Sequence, residues 1–186
     1  RHFYIVTVIV VLLVIWTAWS NTTVGITHYT VASDKLPASF DHYSIVVVSD
    51  LHNAEFGENN SQLIKLIEKE KPDIIVITGD LVDSNKTNID IAQKLVGTLT
   101  GIAPCYYVTG NHEAWLGEQY QELESILLDE GVAILHDRAV QLIKNTESIQ
   151  LAGLDDPDFT DRAPLQQSMI KTKINLTDNY CVLLSH

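Results

Sequence analysis

Short apolar runs and longer amphipathic segments alternate through the middle of the chain. The runs at 44–48, 74–77 and 106–108 are rich in β-branched or aromatic residues, as expected of strands that are buried on both faces. A segment with apolar residues at helical spacing follows each run and ends near a proline or a glycine. The predicted helices span 59–69, 89–99 and 118–130.

The later part of the chain changes to closely spaced strands, two of which are separated by a Lys-Asn-Thr turn. Strands are predicted at 132–135, 139–143, 148–152 and 180–184, with one further helix at 163–173. Alternating strands and helices followed by a hairpin-rich section predict an α/β domain over residues 41–186, built on a mixed sheet or on a pair of sheets.

The N-terminal segment is apolar and differs from the rest of the chain. Residues 3–19 carry no charge and would form a helix about 25 Å long, near the lower limit for crossing a bilayer. Two tryptophans at one end fit an interfacial aromatic belt. A cleaved signal peptide and a buried strand are the alternatives. We expect a single-pass membrane anchor over residues 1–20 and a polar connector over 21–40.

Charge and cysteine content narrow the possible functions. The chain has 12 Lys+Arg against 24 Asp+Glu, a formal net charge of −12. This balance argues against nucleic-acid binding, which needs a basic surface. Cys105 and Cys181 lie in apolar runs and are expected to be free thiols rather than a disulfide. The chain begins with Arg1 and ends at His186 directly after an apolar run, which indicates a piece of a longer protein.

Metal-ligand side chains follow four of the predicted strands. In an open α/β sheet, the carboxyl ends of the strands border the ligand crevice, so these side chains are expected to converge. Mixed oxygen and imidazole donors suit Mn, Fe or Zn better than Mg or Ca. Ordinary turn and capping chemistry is the alternative at each single position. The residues are Asp50 and His52, then Asp80 and Asp83, then Asn111, His112 and Glu113, and finally His186.

The spacing of these residues resembles the calcineurin-like metallophosphoesterase family. The matching motifs are Asp50-x-His52, Gly79-Asp80-x-x-Asp83, Gly110-Asn111-His112-Glu113 and a strand that ends in His186. The segments 36–53 and 151–156 further resemble its membrane-anchored bacterial branch, which includes YkuE- and YaeI-like proteins. The family also has a Gly-His-x-His element beyond the position of His186, and this chain stops before it.

The resemblance implies a layered β-sandwich flanked by helices, and a centre with two divalent ions, Mn, Fe or Zn. By position, Asp50 and His52 would bind one ion, and Asn111 and His186 the other. Asp80 would bridge both ions, because a carboxylate can offer one oxygen to each.

Four further residues receive roles at the reacting end of the site. The resemblance implies that His112 donates a proton to the leaving group or helps to orient the phosphate, and that Asp83 orients the His112 ring. Glu113 is expected either to have a structural role or to lie next to the substrate, and Asn53 either to contact the substrate or to cap a turn. Trp115 is expected in the core, with a position at the wall of the cleft as the alternative, and His28, His42 and His136 are expected on the surface.

The implied activity is hydrolysis of a phosphoester by a metal-activated hydroxide. Two cations about 3.5–4 Å apart can hold a phosphoryl group and stabilise both the attacking and the departing oxygen. The substrate class stays open among phosphomonoesters, phosphodiesters and lipid-linked pyrophosphates. The alternatives are a non-catalytic binding domain of the same fold, or a piece that is inactive without its last ligands. The catalytic domain is expected on the extracytoplasmic side of the membrane.

Overall fold

A computed structural model of the chain describes residues 2–160, 170, 174 and 176–186. The elements alternate between strands and helices up to α5, and then strands dominate. The helices are α1 (His2–Thr22), α2 (Ser61–Glu70), α3 (Ile89–Leu99), α4 (Asn111–Trp115), α5 (Gln119–Asp129) and α6 (Pro157–Thr160). The strands are β1 (Ile45–Val48), β2 (Ile74–Thr78), β3 (Cys105–Val108), β4 (Ala133–Ile134), β5 (Arg138–Lys144), β6 (Glu147–Gly153) and β7 (Cys181–Leu184).

The first sheet contains four parallel strands in the order β1-β2-β3-β4. Apolar side chains of α2, α3 and α5 pack against one face, where Ile75, Leu95 and Leu123 are fully buried. Each fully buried side chain of this size stabilises the fold by about 1.5–3 kcal/mol. Because all four strands run in one direction, their carboxyl ends meet at one edge.

The second sheet has the order β5-β6-β7, with β5 antiparallel and β7 parallel to β6. Val76 and Val108 of the first sheet share a buried cluster with Leu151 and Leu184 of the second. A Cβ added to Gly153 would lie 2.6 Å from the Cγ1 atom of Val108, so the sheets approach closely there. The prediction of α/β layering is confirmed, with a pair of sheets rather than one.

Helix boundaries follow the sequence prediction with small shifts. The helix predicted at 89–99 is α3, with the same boundaries. Helix α2 begins two residues later than predicted, because Asn59 and Asn60 have φ of 50° and 60° and lie in a short 3-10 segment, Glu58–Asn60. The helix predicted at 163–173 lies almost wholly outside the described residues. Both cysteines are free thiols, as predicted.

Helix α1 covers the apolar N-terminal segment. Its large apolar side chains from Tyr4 to Trp16 are each at least 50% exposed. Within the described residues, none of the helices is both long and apolar enough to cross a bilayer. The transmembrane anchor predicted over residues 1–20 is therefore not confirmed.

The packed domain begins before residue 41. Phe40 is only 1% exposed and belongs to the cluster between the sheets, where Leu36 also packs. The Ser39 backbone N–H donates a hydrogen bond of 2.7 Å to the Glu147 carboxylate at the start of β6. The last residues of the predicted connector are thus part of the fold.

Candidate metal centre

The tips of β1, β2 and β3 are joined by backbone hydrogen bonds that position their polar side chains. The Asp50 N–H donates to the Gly79 carbonyl at 3.3 Å, and the His52 N–H donates to the Asp80 carbonyl at 2.9 Å. The His112 N–H donates to Asp80 Oδ1, also at 2.9 Å. Residues that are far apart in sequence therefore meet at one edge of the parallel sheet.

Two glycines allow this close approach. A Cβ on Gly79 would lie 2.6 Å from the backbone nitrogen of Gly110, and a Cβ on Gly110 would lie 2.6 Å from the Asp80 nitrogen. Four residues of these loops that are not glycine have left-handed backbones, which cost free energy that the surrounding contacts must offset. They are Asp50 (φ 53°), His52 (φ 47°), Asn53 (φ 59°) and Asp80 (φ 51°).

Asp80 is the central side chain of the cluster and is only 3% exposed. Its Oδ2 atom lies 3.5 Å from His52 Nε2 and 3.4 Å from His186 Nε2. One carboxylate oxygen therefore faces two imidazole nitrogens. This is the position that a carboxylate shared between two cations would occupy.

Two groups of potential ligand atoms share Asp80. One is His52, Asp80 and His112, and the other is Asp50, Asp80 and His186; within each group the ligand atoms lie within 4.8 Å of one another. The grouping differs from the sequence-based assignment, which paired Asp50 with His52. Asp50 Oδ1 is 3.9 Å from His52 Nε2, and its side chain is 59% exposed.

The hydrogen bonds of His186 show which of its ring nitrogens is available to a metal. Nδ1 lies 2.9 Å from the Thr78 carbonyl oxygen, which only accepts, so Nδ1 carries a proton. Nε2 then faces two acceptors, Asp80 Oδ2 at 3.4 Å and Asn111 Oδ1 at 3.1 Å. His186 Nε2, Asp80 Oδ2 and Asn111 Oδ1 are three hydrogen-bond acceptors that converge, and they need a proton or a cation between them. These three ligand atoms fit a divalent metal.

The pKa of His186 shows how strongly this position favours a positive charge. Burial alone would lower the pKa of the ring, but the hydrogen bond to Thr78 and the negative charges of Asp80 and Asp50 outweigh it. The net result is a raised pKa. A proton and a metal ion would therefore compete for Nε2.

His112 makes hydrogen bonds that differ from those expected. The Ser84 backbone N–H lies 3.1 Å from His112 Nδ1, and the Ser84 hydroxyl lies 3.2 Å from it. A backbone N–H can only donate, so Nδ1 holds a lone pair and the proton of the neutral ring is on Nε2.

The expected hydrogen bond between Asp83 and the His112 ring is not formed, and a role of Asp83 in orienting that ring stays a prediction. The Asp83 Oδ1 atom is 3.8 Å from His112 Nδ1, beyond hydrogen-bonding distance. The carboxylate instead accepts the Asn85 backbone N–H at 2.7 Å. This bond is the main cause that lowers the pKa of Asp83. The hydrogen bonds to His112 Nδ1 therefore come from Ser84.

Glu113 is fully buried, which favours the structural role over contact with a substrate. Its Oε2 atom accepts the backbone N–H groups of Asp80 at 2.8 Å and Gly110 at 2.7 Å, and its Oε1 atom accepts that of Leu81 at 2.9 Å. Burial raises the pKa of Glu113, and these hydrogen bonds oppose the shift. The carboxylate ties the tip of β2 to the tip of β3.

Asn53 and Trp115 border the cluster. The Asn53 side-chain amide donates to the Lys86 carbonyl at 2.7 Å, so it connects two loops. Trp115 is 58% exposed and its ring centre lies 4.9 Å from that of His112. The prediction that Trp115 lies in the core is wrong. It forms an exposed wall beside His112.

The chain is similar to several known proteins. A family described as calcineurin-like phosphoesterase matches residues 43–175. An uncharacterized metallophosphoesterase of Aquifex aeolicus is 32% identical over 168 residues, which cover 85% of this chain and 60% of that protein. The uncharacterized metallophosphoesterase YkuE of Bacillus subtilis is 30% identical over 147 residues, 72% of this chain and 50% of YkuE.

A third relative is a transmembrane protein with metallophosphoesterase domain from Danio rerio. It is 30% identical over 128 residues, which cover 66% of this chain and 29% of that protein. The chain therefore spans no more than 60% of the length of these three relatives. The family match covers more than half of the chain and includes the tips of β1, β2 and β3. The chain belongs to the calcineurin-like phosphoesterase family.

Proposed function

We propose that the intact protein hydrolyses phosphoester bonds with two divalent cations bound around Asp80. The observation that carries this proposal is the position of Asp80 Oδ2, at 3.5 Å and 3.4 Å from the Nε2 atoms of His52 and His186. A single buried carboxylate lies between two imidazoles, and each imidazole belongs to its own group of potential ligands. Family membership supports the same reaction class.

The mechanism depends first on the residues that would bind the two ions. Asp50, Asp80, Asn111 and His186 would bind one ion, and His52 with Asp80 the other. When bound, the cations would supply positive charge for the phosphoryl group and lower the pKa of a water molecule. Mixed carboxylate, amide and imidazole donors suit Mn, Fe or Zn, and which of these metals binds is part of the proposal.

His112 acts as a proton donor in this proposal and not as a ligand. A ligand must present a lone pair, but the Ser84 N–H already occupies the lone pair at Nδ1. The neutral ring therefore keeps its proton at Nε2, where it can be given to a departing oxygen. For His112 to bind a metal through Nε2, a proton would have to move to Nδ1, where it would face the Ser84 N–H.

The substrate is proposed by class. Phosphomonoesters, phosphodiesters and lipid-linked pyrophosphates all offer the phosphoryl group that this cluster would bind. The exposed indole of Trp115 beside His112 provides an apolar surface for a leaving group.

The test is hydrolysis of one compound from each substrate class by the intact protein, with Asp80→Asn measured in parallel. We expect turnover of at least one class that requires added divalent metal and is lost in the variant. Asp90→Asn, which changes an exposed acid in the first turn of α3, is the matched control. A protein that purifies without metal and hydrolyses none of the compounds would instead be a non-catalytic binding domain.

Membrane attachment is a separate proposal. It is supported by the exposed apolar side chains of α1 and by the transmembrane description of the Danio rerio relative. In this proposal the catalytic domain lies on the extracytoplasmic side. Deletion of residues 1–33 from the otherwise intact protein is expected to move it from the membrane fraction to the supernatant. Extraction of the undeleted protein by alkaline carbonate would contradict the proposal.

A further inference from the structure

A second cluster of histidine and carboxylates lies outside the candidate metal centre. We call it the His136 cluster, and it consists of Glu124 on α5, His136 between β4 and β5, and Asp155 between β6 and α6. His136 Nδ1 lies 2.9 Å and 3.0 Å from the two carboxylate oxygens of Asp155, and Nε2 lies 2.8 Å from Glu124 Oε1. The sequence had indicated only a surface histidine.

Both ring nitrogens of His136 must donate in this arrangement. An ionised carboxylate only accepts hydrogen bonds, and His136 has one carboxylate at each nitrogen. A neutral ring could satisfy only one of them. With both carboxylates ionised, the ring would be an imidazolium with two charge-assisted hydrogen bonds. The hydrogen bond to Asp155 raises the pKa of His136, and Glu124 raises it further against the effect of burial.

The groups around His136 favour this charge from every side. Helix α5 contributes Glu124 and the Tyr120 hydroxyl, which lies 3.4 Å from Nε2. The loop before α6 contributes Asp155, and α6 contributes the apolar ring of Phe159, which stacks on the imidazole at 5.9 Å between ring centres. The adjacent Asp137 accepts the Asp155 backbone N–H at 3.4 Å and adds another negative charge.

Asp155 connects this cation to the tip of β3. Its side chain is 5% exposed, and its Oδ1 atom accepts the Thr109 hydroxyl at 2.9 Å. The same hydroxyl accepts the Asp156 backbone N–H at 3.1 Å. Thr109 is fully buried and directly precedes Gly110 and Asn111. A buried carboxylate is tolerated only when it is paired, so the position of Asp155 depends on His136.

We propose that His136 is a positioning residue, an imidazolium bound between Glu124 and Asp155 that holds Asp155 on Thr109 and so fixes the tip of β3. That tip carries Asn111 and His112, which the proposed function places in the reaction. The inference rests on that function only for its activity readout, because the charge of His136 can be measured without turnover.

The first measurement is the protonation state of His136 in the intact protein by ¹⁵N NMR at pH 7. We expect protons on both ring nitrogens, and one of the two should be lost as the pH rises through the raised pKa of the ring. A neutral ring at pH 7 would overturn the proposal, even if the protein hydrolyses phosphoesters. An imidazolium in a protein without turnover would contradict the proposed function and leave the assignment of charge standing.

The second measurement compares variants of the intact protein. His136→Gln removes the cation and is expected to lower kcat by about 10–100-fold. This is the usual effect of changing a residue that positions the residues of a site without itself contacting the metal. KM and the bound metal content should change little. His28→Gln is the matched control, because His28 pairs with Glu70 at 3.5 Å on the surface and its side chain is 70% exposed. It should leave kcat unchanged.

A rescue variant separates positioning by charge from simple damage to the fold. In His136→Gln the buried Asp155 carboxylate loses its counter-charge, whereas His136→Gln with Asp155→Asn pairs two neutral amides. We expect the double variant to recover most of the lost kcat. Losses in the double variant that equal or exceed the product of the single losses would overturn the proposal.

Discussion

The cluster around Asp80 and the His136 cluster contain the same kinds of side chain and differ in how their acceptors are satisfied. Around His136, each carboxylate has a ring N–H, so the histidine itself supplies the positive charge. Around Asp80, the Nδ1 proton of His186 is used by the Thr78 carbonyl. Its Nε2 then meets only acceptors.

The difference shows how a metal site can be distinguished from a structural ion pair. Both clusters combine imidazoles with carboxylates, but the protons on the ring nitrogens are set by different neighbouring groups. His186 donates its Nδ1 proton to the Thr78 carbonyl. The Nδ1 lone pair of His112 accepts the Ser84 N–H. The first arrangement leaves a lone pair free for a cation, and the second leaves a proton free for transfer.

Among the residues that would not bind a metal, His112 is expected to have the largest effect on turnover when it is changed to alanine in the intact protein. Removing a general acid typically lowers the rate by about 10²–10⁴-fold. Because the Ser84 N–H occupies Nδ1, we expect the bound metal content to stay the same. Steady-state rates and metal analysis of the same samples are the measurements. A variant that loses one metal per chain would show that His112 belongs with His52 and Asp80 as a ligand.

Glu113 sharpens the comparison, since its carboxylate is satisfied by backbone N–H groups alone. Glu113→Ala would leave three buried N–H groups without acceptors, so the free energy of unfolding should fall by about 3–5 kcal/mol. Chemical denaturation gives this value. Glu113→Gln retains part of the acceptor capacity and should lose less. Equal stability of both variants and the wild type would contradict the structural role of Glu113.

A smaller effect is the dependence of stability on pH at His136. The pKa of His136 is raised in the folded state above the usual value of 6.5. The contribution of this ring to stability is therefore fully present below pH 6.5, and it is lost as the pH rises through the folded-state pKa. Its size is about 1 kcal/mol after solvent screening, since the side chain is 35% exposed.

This dependence can be read from the difference in unfolding free energy between the wild type and His136→Gln, measured at several pH values. The difference should be largest at and below pH 6.5 and should shrink in alkaline solution. A difference that grows as the pH rises would mean that the neutral ring is the stabilising form.

Much of the fold could be predicted because it depends on local periodicity. The boundaries of α3 match the prediction, and the polar residues after β1, β2 and β3 do converge. Convergence follows from the parallel strands of the first sheet, which the short β-branched runs had indicated. The candidate ligands were therefore visible in the sequence as residues that follow strands.

The errors arose where hydrogen-bond geometry decides the role of a side chain. The Asp83 carboxylate accepts the Asn85 backbone N–H, and His112 Nδ1 accepts the Ser84 backbone N–H. No residue pattern distinguishes this arrangement from a hydrogen bond between Asp83 and His112. The surroundings of His136 depend on Glu124 and Asp155, which come from different elements. Asp155 and Asp156 are adjacent in the sequence, but this pattern does not indicate which residue pairs with Asp155.

The central claim is that Asp80 is shared between two bound cations. The most direct test is the number of metal ions per chain in the intact protein and in Asp80→Asn across a Mn²⁺ titration, with hydrolysis rates measured on the same samples. Asparagine keeps the shape of the side chain but removes the negative charge between the cations.

We expect two ions per chain in the wild type. The variant should lose at least one of them at ordinary metal concentrations. The fall in metal affinity should be larger than the roughly 10–100-fold caused by changing a residue that only hydrogen-bonds to a metal ligand. Excess Mn²⁺ should restore part of the occupancy and of the rate. Two bound ions and an unchanged rate in Asp80→Asn would contradict the account.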